Sequence, residues 1–243
     1  MGFELEGQTA IVTGAARGIG LAISRRLAEL GTRVSCWDTD PKPAEDDPAF
    51  CHWIEADVTC EESVANAFAQ SLAALGEVSI LVANAGINGP TKPAWEYSLD
   101  EWRRVIEIDL TGVFLSVMAG VRHMRGTGYG RIVVIASVAG KEGNPGACAY
   151  GAAKSGVIGF AKGLARELQP SRISINCVAP SMAATDLLKG MSEEYIAEKR
   201  SKVPMNRLCS VEEIADMTAW AVSPRCSFTT GQVFDVSGGR ATY

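Results

Sequence analysis

Short apolar runs alternate with longer amphipathic stretches along the chain. The short runs are rich in Val and Ile, as β-strands are, and the longer stretches have the pattern of helices. Strands are predicted at Thr9–Thr13, Arg33–Trp37, Ser79–Ala83, Arg131–Ala136, Arg172–Val178 and Gln232–Val236. Helices are predicted at Gly18–Leu30, Glu61–Leu75, Leu99–Arg125, Tyr150–Gln169 and Val211–Val222.

The alternation of strands with helices indicates crossover connections and therefore a parallel sheet. Continuously apolar strands are typical of a sheet that helices cover on both faces. The Pro- and Asp-rich segment Asp40–Phe50 is predicted to be a loop. It is not a linker between domains, because the runs on either side of it are too short to fold alone. The pattern thus predicts one doubly wound α/β domain over residues 1–243.

A glycine-rich loop, TGAARGIG from Thr13 to Gly20, follows the first predicted strand and opens the first predicted helix. Its glycines allow a tight turn and a close approach to a pyrophosphate, which the helix N-terminus attracts. The spacing is G-x-x-x-G-x-G, and by itself it also fits an ordinary strand–helix turn. The residues predicted to contact a dinucleotide here are Gly14, Arg17, Gly18, Ile19 and Gly20.

Asp38 adds a second indication of a dinucleotide site. It lies about 20 residues beyond the loop, at the end of the second predicted strand, where a carboxylate can bond the adenosine ribose hydroxyls. This carboxylate would repel the 2′-phosphate of NADP. Arg17 is the opposing observation, because a cation could attract that phosphate. A solvated or ion-paired arginine is more common at a helix start, so NAD is predicted in preference to NADP.

Tyr150 and Lys154 lie one helical turn apart, on the same predicted helix face. Tyrosine is a poor base at neutral pH, but a neighbouring cation favours its phenolate. Tyr195 and Lys199 have the same spacing. Ser137 distinguishes the first pair from the second. It precedes Tyr150 by thirteen residues and lies at the carboxyl end of a predicted strand, where open α/β sheets bind ligands. The sequence therefore favours Tyr150 with Lys154.

Taken together with further motifs, these residues resemble the short-chain dehydrogenase/reductase family. The motifs follow one another in the order typical of that family and span almost the whole chain. The resemblance implies a Rossmann-type fold, and an enzyme that interconverts a secondary alcohol and a ketone with NAD or NADP. It places the cofactor half at about residues 1–135 and the catalytic and substrate half at about residues 136–243. The motifs are the glycine loop, Asn84-Ala85-Gly86, Ser137, Tyr150 with Lys154, and Pro180 with Thr185.

The resemblance also implies a role for each matching residue. Tyr150 would be the acid/base, Lys154 would stabilise its phenolate and bind the nicotinamide ribose, and Ser137 would hold the substrate oxygen. Adenine contacts are implied for Asp57 and Val58. The remaining implied cofactor contacts are Asn84, Ala85, Gly86, Tyr150, Lys154, Pro180 and, at the nicotinamide carboxamide, Thr185.

Two positions depart from the family pattern. Asp109 stands where the family usually has an asparagine that anchors a water of the proton relay, and it is kept as a catalytic candidate. Its carboxylate could pair with Lys154 or bind the same water. Ser181 follows Pro180 where glycine is usual, which restricts the backbone beside the nicotinamide.

Substrate contacts are expected from the loop after Ser137 and from the segment Met182–Pro204, with Asn144, Met182 and Arg240 as candidates. Arg240 is expected to reach a neighbouring active site and bind a substrate carboxylate, although a plain interface tail fits equally well. The segment KEGNP after Gly140 and the ending GGRATY are similar to members that oxidise deoxy-keto sugar acids.

Charge and composition limit the alternatives. A net charge of −5 argues against nucleic acid and against a 3-oxoacyl-acyl-carrier-protein reductase using NADP, which needs a basic surface. A catalytically silent NAD-binding protein is a further alternative, which only Asp109 supports. Seven cysteines without CxxC spacing predict free thiols, no metal site and a cytoplasmic location. No apolar run is long enough to span a membrane, and the family resemblance implies a homotetramer.

Overall fold

The computed structural model describes residues 5–42, 47, 52–184 and 193–243. Within these residues, seven parallel strands form one sheet in the order β3-β2-β1-β4-β5-β6-β7. The strands are β1 (Thr9–Thr13), β2 (Arg33–Asp38), β3 (His52–Glu55), β4 (Ile80–Ala83), β5 (Tyr129–Ile135), β6 (Arg172–Pro180) and β7 (Val233–Val236). The helices are α1 (Gly18–Glu29), α2 (Glu61–Leu75), α3 (Leu99–Ile106), α4 (Gly112–Thr127), α5 (Ala139–Glu142), α6 (Cys148–Glu167), α7 (Glu193–Ser201) and α8 (Val211–Val222).

The predicted doubly wound α/β fold is confirmed. The chain starts at the centre of the sheet with β1, runs outward to β3, and returns to place β4 on the other side of β1. A core that includes Val64 of α2, Val117 of α4 and Val157 of α6 covers one face of the sheet. A second core, with Ile23 of α1 and Ile214 of α8, covers the other face. The order of strands therefore reverses between β1 and β4, and ligands of such sheets bind at the carboxyl ends of the strands there.

Strand β3 was absent from the sequence prediction. Its four residues, HWIE, contain one aliphatic side chain, and only Ile54 is fully buried. An edge strand of this kind lacks the apolar run that marks the central strands. It is held by parallel pairing to β2, with Ser35 opposite His52. Most of the predicted loop Asp40–Phe50 lies outside the described residues.

The single helix predicted over Leu99–Arg125 is wrong in its middle. A π-helical turn at Glu107–Thr111 separates α3 from α4, and α4 continues to Thr127. A π turn inserts one residue into the helical repeat and is common at functional sites. Asp109 lies at the centre of this turn and is fully buried.

No helix in the described parts of the chain is both long enough and apolar enough to cross a lipid bilayer.

Candidate active site

The glycine loop joins β1 to α1 and leaves the start of that helix free. Gly14 and Gly18 have φ angles of +66° and +56°, which glycine adopts without strain. Arg17, the first flanking residue of α1, makes no side-chain cap, and the first turn contains no acidic residue. The amide donors and the positive end of the helix dipole therefore face no competing carboxylate of that turn, as pyrophosphate binding requires.

Asn84 and Thr13 fasten the glycine loop to the end of β4. Asn84 Nδ2 donates to the carbonyls of Thr13 and Gly14, each at 3.0 Å. Thr13 Oγ1 accepts from the amides of Asn84 and Ala85, also at 3.0 Å. A Cβ added to Gly14 would lie 2.8 Å from Ala85 Cα, and one added to Gly20 would lie 2.0 Å from the Gly14 carbonyl oxygen. Only glycines permit this packing.

Asp38 is the last residue of β2, and its carboxylate faces the glycine loop. Oδ2 accepts from the Ala16 amide at 2.8 Å, and Oδ1 accepts from the Asp40 amide at 3.0 Å. Arg17, mostly exposed, pairs with the carboxylate of Asp40. The cation that could attract a 2′-phosphate thus already has an anionic partner, and two carboxylates lie at this corner of the site.

Ser137 follows β5 and begins the turn into α5. Its Oγ accepts from the Ala139 amide at 3.1 Å, and the residue is 8% exposed. Helix α5 packs closely on α6, because a Cβ on Gly140 would lie 2.6 Å from the Lys154 carbonyl carbon. Ser155 Oγ also donates to the Gly140 carbonyl at 2.8 Å. These contacts tie the serine turn to the helix that carries Tyr150 and Lys154.

Lys154 is 3% exposed and sits between three groups. Its Nζ donates to the Ile135 carbonyl at 3.1 Å, lies 3.3 Å from Asp109 Oδ2, and lies 5.5 Å from the centroid of the half-buried Tyr150 ring. Asp109 Oδ1 accepts from the Ile87 amide at 2.8 Å, while Oδ2 has no directed hydrogen bond. Side chains of the π turn and of α6 therefore meet a main-chain carbonyl of β5 at this point.

Burial and pairing act in opposite directions on this buried ion pair. Burial lowers the pKa of Lys154, but attraction to Asp109 and Tyr150 outweighs it, so the pKa is raised overall. Burial raises the pKa of Asp109, and Lys154 and the Ile87 amide only partly offset it. The lysine is thus held as a cation beside Tyr150 before any ligand binds.

The Gly86 backbone lies close to the Asp109–Lys154 ion pair, which leaves no room for a side chain at this position. A Cβ there would lie 2.9 Å from Asp109 Oδ2 and 3.3 Å from Lys154 Nζ. The Asn84-Ala85-Gly86 segment therefore contacts the glycine loop at one end and the ion pair at the other.

The other predicted cofactor contacts lie along the same carboxyl edge. Asp57 is exposed and accepts from the amide and hydroxyl of Thr59. Val58 is buried against Gly112 of α4. Pro180 ends β6, and its carbonyl accepts from the Val138 amide at 3.1 Å. Thr185 lies outside the described residues.

The three substrate candidates are more scattered. Asn144 is half-buried, and its carbonyl accepts from the Ala147 amide at 3.1 Å. The Met182 carbonyl accepts from Cys209. Arg240 Nε donates to Glu142 Oε2 at 3.0 Å within the same chain.

Sequence reasoning missed the attachment of the C-terminal tail to α5. Lys141 Nζ pairs with Asp235 of β7 at 2.8 Å, and the lysine side chain is only 7% exposed. The Tyr243 hydroxyl donates to the Lys141 carbonyl. Lys141 belongs to the loop after Ser137, from which substrate contacts were expected, and its charge pairs with β7. The main-chain carbonyl of Ile135 was missed too, since no side-chain pattern marks a carbonyl.

A sequence model of the family described as "Enoyl-(Acyl carrier protein) reductase" matches residues 14–241. The 2-dehydro-3-deoxy-L-rhamnonate dehydrogenase (NAD(+)) of Sphingomonas sp. strain SKA58 is 44% identical, covering 98% of this chain and 96% of that protein. This chain belongs to the short-chain dehydrogenase/reductase family. As a member, it is an oxidoreductase that acts on CH–OH donors with NAD or NADP.

Two further relatives show the range of this dehydrogenase/reductase family. The 3-oxoacyl-[acyl-carrier-protein] reductase of Aquifex aeolicus is 37% identical over 98% of this chain and 99% of that protein. A crystal structure of the 3-ketoacyl-(acyl-carrier-protein) reductase from Brucella melitensis complexed with NADH has a TM-score of 0.92. It is 31% identical and covers 98% of this chain and 100% of that chain.

Proposed function

We propose that this enzyme uses NAD to interconvert a secondary alcohol and a ketone on a small polar substrate, a 2-keto-3-deoxy sugar acid. The observation that carries the substrate class is the 44% identity, over almost the full length of both chains, to a dehydrogenase named for such an acid. The segments KEGNP and GGRATY, which resemble that subgroup, support the same class.

Ser137, Tyr150 and Lys154 are proposed to carry the reaction. The Ser137 hydroxyl holds the substrate oxygen, and the Tyr150 oxygen takes the alcohol proton during oxidation and returns it during reduction. Lys154, held as a buried cation 5.5 Å from the tyrosine ring centroid, stabilises the phenolate form. NAD, which the glycine loop, Asp38 and Lys154 would hold, would supply the hydride acceptor for the carbon that bears this oxygen.

Asp109 is proposed as a positioning residue for Lys154. Its carboxylate lies 3.3 Å from Nζ and holds the lysine charge, which the Ile135 carbonyl alone would leave without an anionic partner. Its unbonded Oδ2 also provides an acceptor for a water beside the lysine. This assignment makes an aspartate compatible with activity at a position where asparagine is usual.

The proposed preference for NAD rests on charge at the adenosine end. Asp38 and Asp40 place two carboxylates there, and Asp40 already pairs with Arg17. A ribose hydroxyl can donate to Asp38, whereas a 2′-phosphate would meet two like charges. The relative that is 44% identical is named as NAD-dependent.

The decisive experiment measures NADH or NADPH formation at mildly alkaline pH over a panel of secondary alcohols and deoxy-keto sugar acids. The proposal expects turnover of a sugar acid with NAD and little with NADP. Turnover only with NADP, or only as reduction of 3-oxoacyl thioesters, would favour the acyl-carrier-protein reductase alternative. That alternative draws support from the relatives at 37–38% identity.

We also infer a homotetramer in the cytoplasm, as in the family pattern. Phe114 of α4 is 45% exposed and packs edge-on against Phe160 of α6, at 5.9 Å between ring centroids. An apolar surface shared by two long helices is suited to bury against another subunit. Sedimentation velocity tests the assembly, and a monomer at micromolar concentration would contradict it.

A further inference from the structure

A cleft with a volume of about 1050 Å³ lies at the amino-terminal edge of the sheet, opposite the proposed catalytic residues. It is formed by the starts of β5 and β6, the residue before β1, and the segment between α8 and β7. The seven residues of β5 separate the cleft from Ser137, a length of about 23 Å at the usual rise per residue of a strand. We call it the amino-edge cleft and define it by Gln8, Tyr129, Arg131, Arg172, Ser174 and Phe228.

The charge of this cleft is one-sided. Its described lining contains two arginines, Arg131 and Arg172, and no aspartate or glutamate. Both guanidinium groups lie over the Tyr129 ring, at 4.6 Å and 5.6 Å from its centroid. Neither arginine has a carboxylate within salt-bridge distance among the described residues.

Arg131 is unusual because it is only 7% exposed. Its Nη1 donates to the carbonyls of Gly130 and Arg172, each at 2.9 Å, while Nε has no hydrogen-bond partner. Buried charges in proteins are normally paired, since an unpaired one is costly to remove from water. A buried guanidinium with carbonyl partners only is therefore an incomplete arrangement.

Further unpaired polar atoms belong to the same cleft. Ser174 is 9% exposed and its Oγ has no partner, and the Gln8 side-chain oxygen, also buried, has none either. With Arg131 Nε, three such atoms belong to side chains that line one cleft. Buried polar groups are nearly always hydrogen-bonded, so a cluster of exceptions beside two arginines favours a polar partner from outside the chain.

We propose that the amino-edge cleft is a second ligand site, which binds a carboxylate or phosphate group at Arg131 and Arg172. A guanidinium matches the oxygens of either anion with two parallel hydrogen bonds, and the anion would supply the counter-charge that Arg131 lacks. This proposal does not depend on the reaction proposed above, because none of the residues of the amino-edge cleft lies at the carboxyl edge of the sheet with Ser137, Tyr150 and Lys154.

The test measures thermal unfolding of the full chain in increasing inorganic phosphate, and separately in succinate, at constant ionic strength set with sodium chloride. A ligand that binds only the folded protein raises Tm progressively with its concentration. Phosphate and succinate form separate arms, so that the two oxyanions are distinguished. A rise that is weakened in Arg172→Gln supports the site, whereas a rise that does not depend on Arg172, or no rise with either anion, overturns it.

Arg172→Gln is the decisive variant, because Arg172 is exposed and its replacement does not threaten folding. We expect the anion to bind about tenfold more weakly, as for the loss of one charge-assisted contact. The matched control is Arg122→Gln, an exposed arginine on α4, which should keep the full Tm response. Equal responses in both variants would overturn the proposal, and unchanged kcat in Arg172→Gln would verify the intact fold.

A second measurement addresses Phe228, a residue of the amino-edge cleft whose side chain is entirely exposed. Sedimentation velocity compares the wild type with Phe228→Ser. Association that depends on Phe228, together with no anion response, would make this face an interface between copies and would refute the ligand site. Anion binding that persists in Phe228→Ser supports the site.

Discussion

The two edges of the sheet each hold a buried cation, and the same strand helps to hold both. Lys154 Nζ donates to the carbonyl of Ile135, at the end of β5, and Arg131 Nη1 donates to the carbonyl of Gly130, near its start. Main-chain carbonyls thus solvate both charges in a similar way. The difference lies in the counter-charge, because Lys154 has the buried carboxylate of Asp109 and Arg131 has no carboxylate partner among the described residues.

The two edges thus differ in which of the charged groups the protein itself supplies. At the carboxyl edge the protein supplies both members of an ion pair, so the cation is in place before substrate arrives. At the amino edge it supplies only the cations, and the missing anion is left to a ligand. Buried pairs cost desolvation but are strongly destabilised when one partner is removed. Substitutions on each side can therefore separate a complete site from an incomplete one.

The largest expected effect is on turnover, in Tyr150→Phe. Removing the oxygen that is proposed as the acid/base should lower kcat by about 10²–10⁴-fold, with little change in the free energy of unfolding. Arg172→Gln, at the opposite edge, should leave kcat unchanged. Initial rates of NADH formation provide the measurement. A Tyr150→Phe enzyme within tenfold of wild type would remove Tyr150 from the proposed reaction.

Asp109→Leu tests the paired cation. It leaves Lys154 buried without an anion and should lower the free energy of unfolding by about 3–5 kcal/mol. Asp109→Asn is the matched control, because it keeps an acceptor for the Ile87 amide and should lose less. Urea unfolding at pH 7 compares the three proteins. Equal stability of wild type and Asp109→Leu would mean that the pair contributes nothing.

The same variants predict a pH dependence. Despite the opposing effect of burial, Asp109 and Tyr150 leave the pKa of folded Lys154 above its ordinary value. The stabilisation is therefore fully present below about pH 10.4, the ordinary lysine pKa, and is lost as pH rises through the higher folded pKa. The stability advantage of wild type over Asp109→Asn should narrow above about pH 10.4. An advantage that stays constant well above the ordinary lysine pKa would contradict this assignment.

Asp38→Ala tests the proposed contact between Asp38 and the adenosine ribose of NAD, at the carboxyl edge of the sheet. The loss of a charged hydrogen bond to a ribose hydroxyl, about 1.5–3 kcal/mol, should weaken NAD binding and reduce the preference over NADP by about ten- to a hundredfold. Asp40→Ala is the paired variant, since it frees Arg17 and should improve NADP use alone. The preference is measured as the ratio of kcat/KM with NAD to kcat/KM with NADP, in the wild type and in both variants. An unaltered preference in both variants would contradict the proposed role of this corner.

Arg240→Ala probes a less buried pair at the same edge. The side chains of Arg240 and Glu142 are 13% and 24% exposed, and their bond fastens the tail to α5. Both Arg240→Ala and Glu142→Gln should lower stability by about 1 kcal/mol and leave KM unchanged. A raised KM for an acidic substrate in Arg240→Ala alone would instead assign Arg240 to the substrate carboxylate, as first expected from the sequence.

The smallest effect is expected for an exposed pair at the start of α8. Arg207 and the Ser210 amide lower the pKa of Glu213 to about 2. Because the folded pKa of Glu213 lies below the unfolded value of about 4.3, this stabilisation is fully present above that value and is lost as pH falls through the folded pKa. Glu213→Gln should cost less than ~1 kcal/mol at neutral pH, and its Tm should meet that of wild type once Glu213 is protonated. A difference that persists at that pH would contradict a charge origin.

The sequence by itself determined the features that depend on local pattern. Apolar runs predicted the central strands, since a strand buried on both faces must be continuously apolar. Local sequence also predicted the glycine loop, the acidic end of β2 and the Tyr150–Lys154 spacing, because each of these features lies within one element or one turn of the chain. Strand β3 was not readable, as its pairing to β2 rather than its own composition maintains it.

Only the tertiary structure decided which distant residues meet. The π turn carries Asp109 to Lys154, which is 45 residues away, and β7 carries Asp235 to Lys141 across 94 residues. The register of β5 with β6 places Tyr129 opposite Arg172, which creates the amino-edge cleft. Periodicity describes which face of an element is buried, but not which side chain from elsewhere in the chain will contact it. That choice follows from how the strands pair and the helices pack.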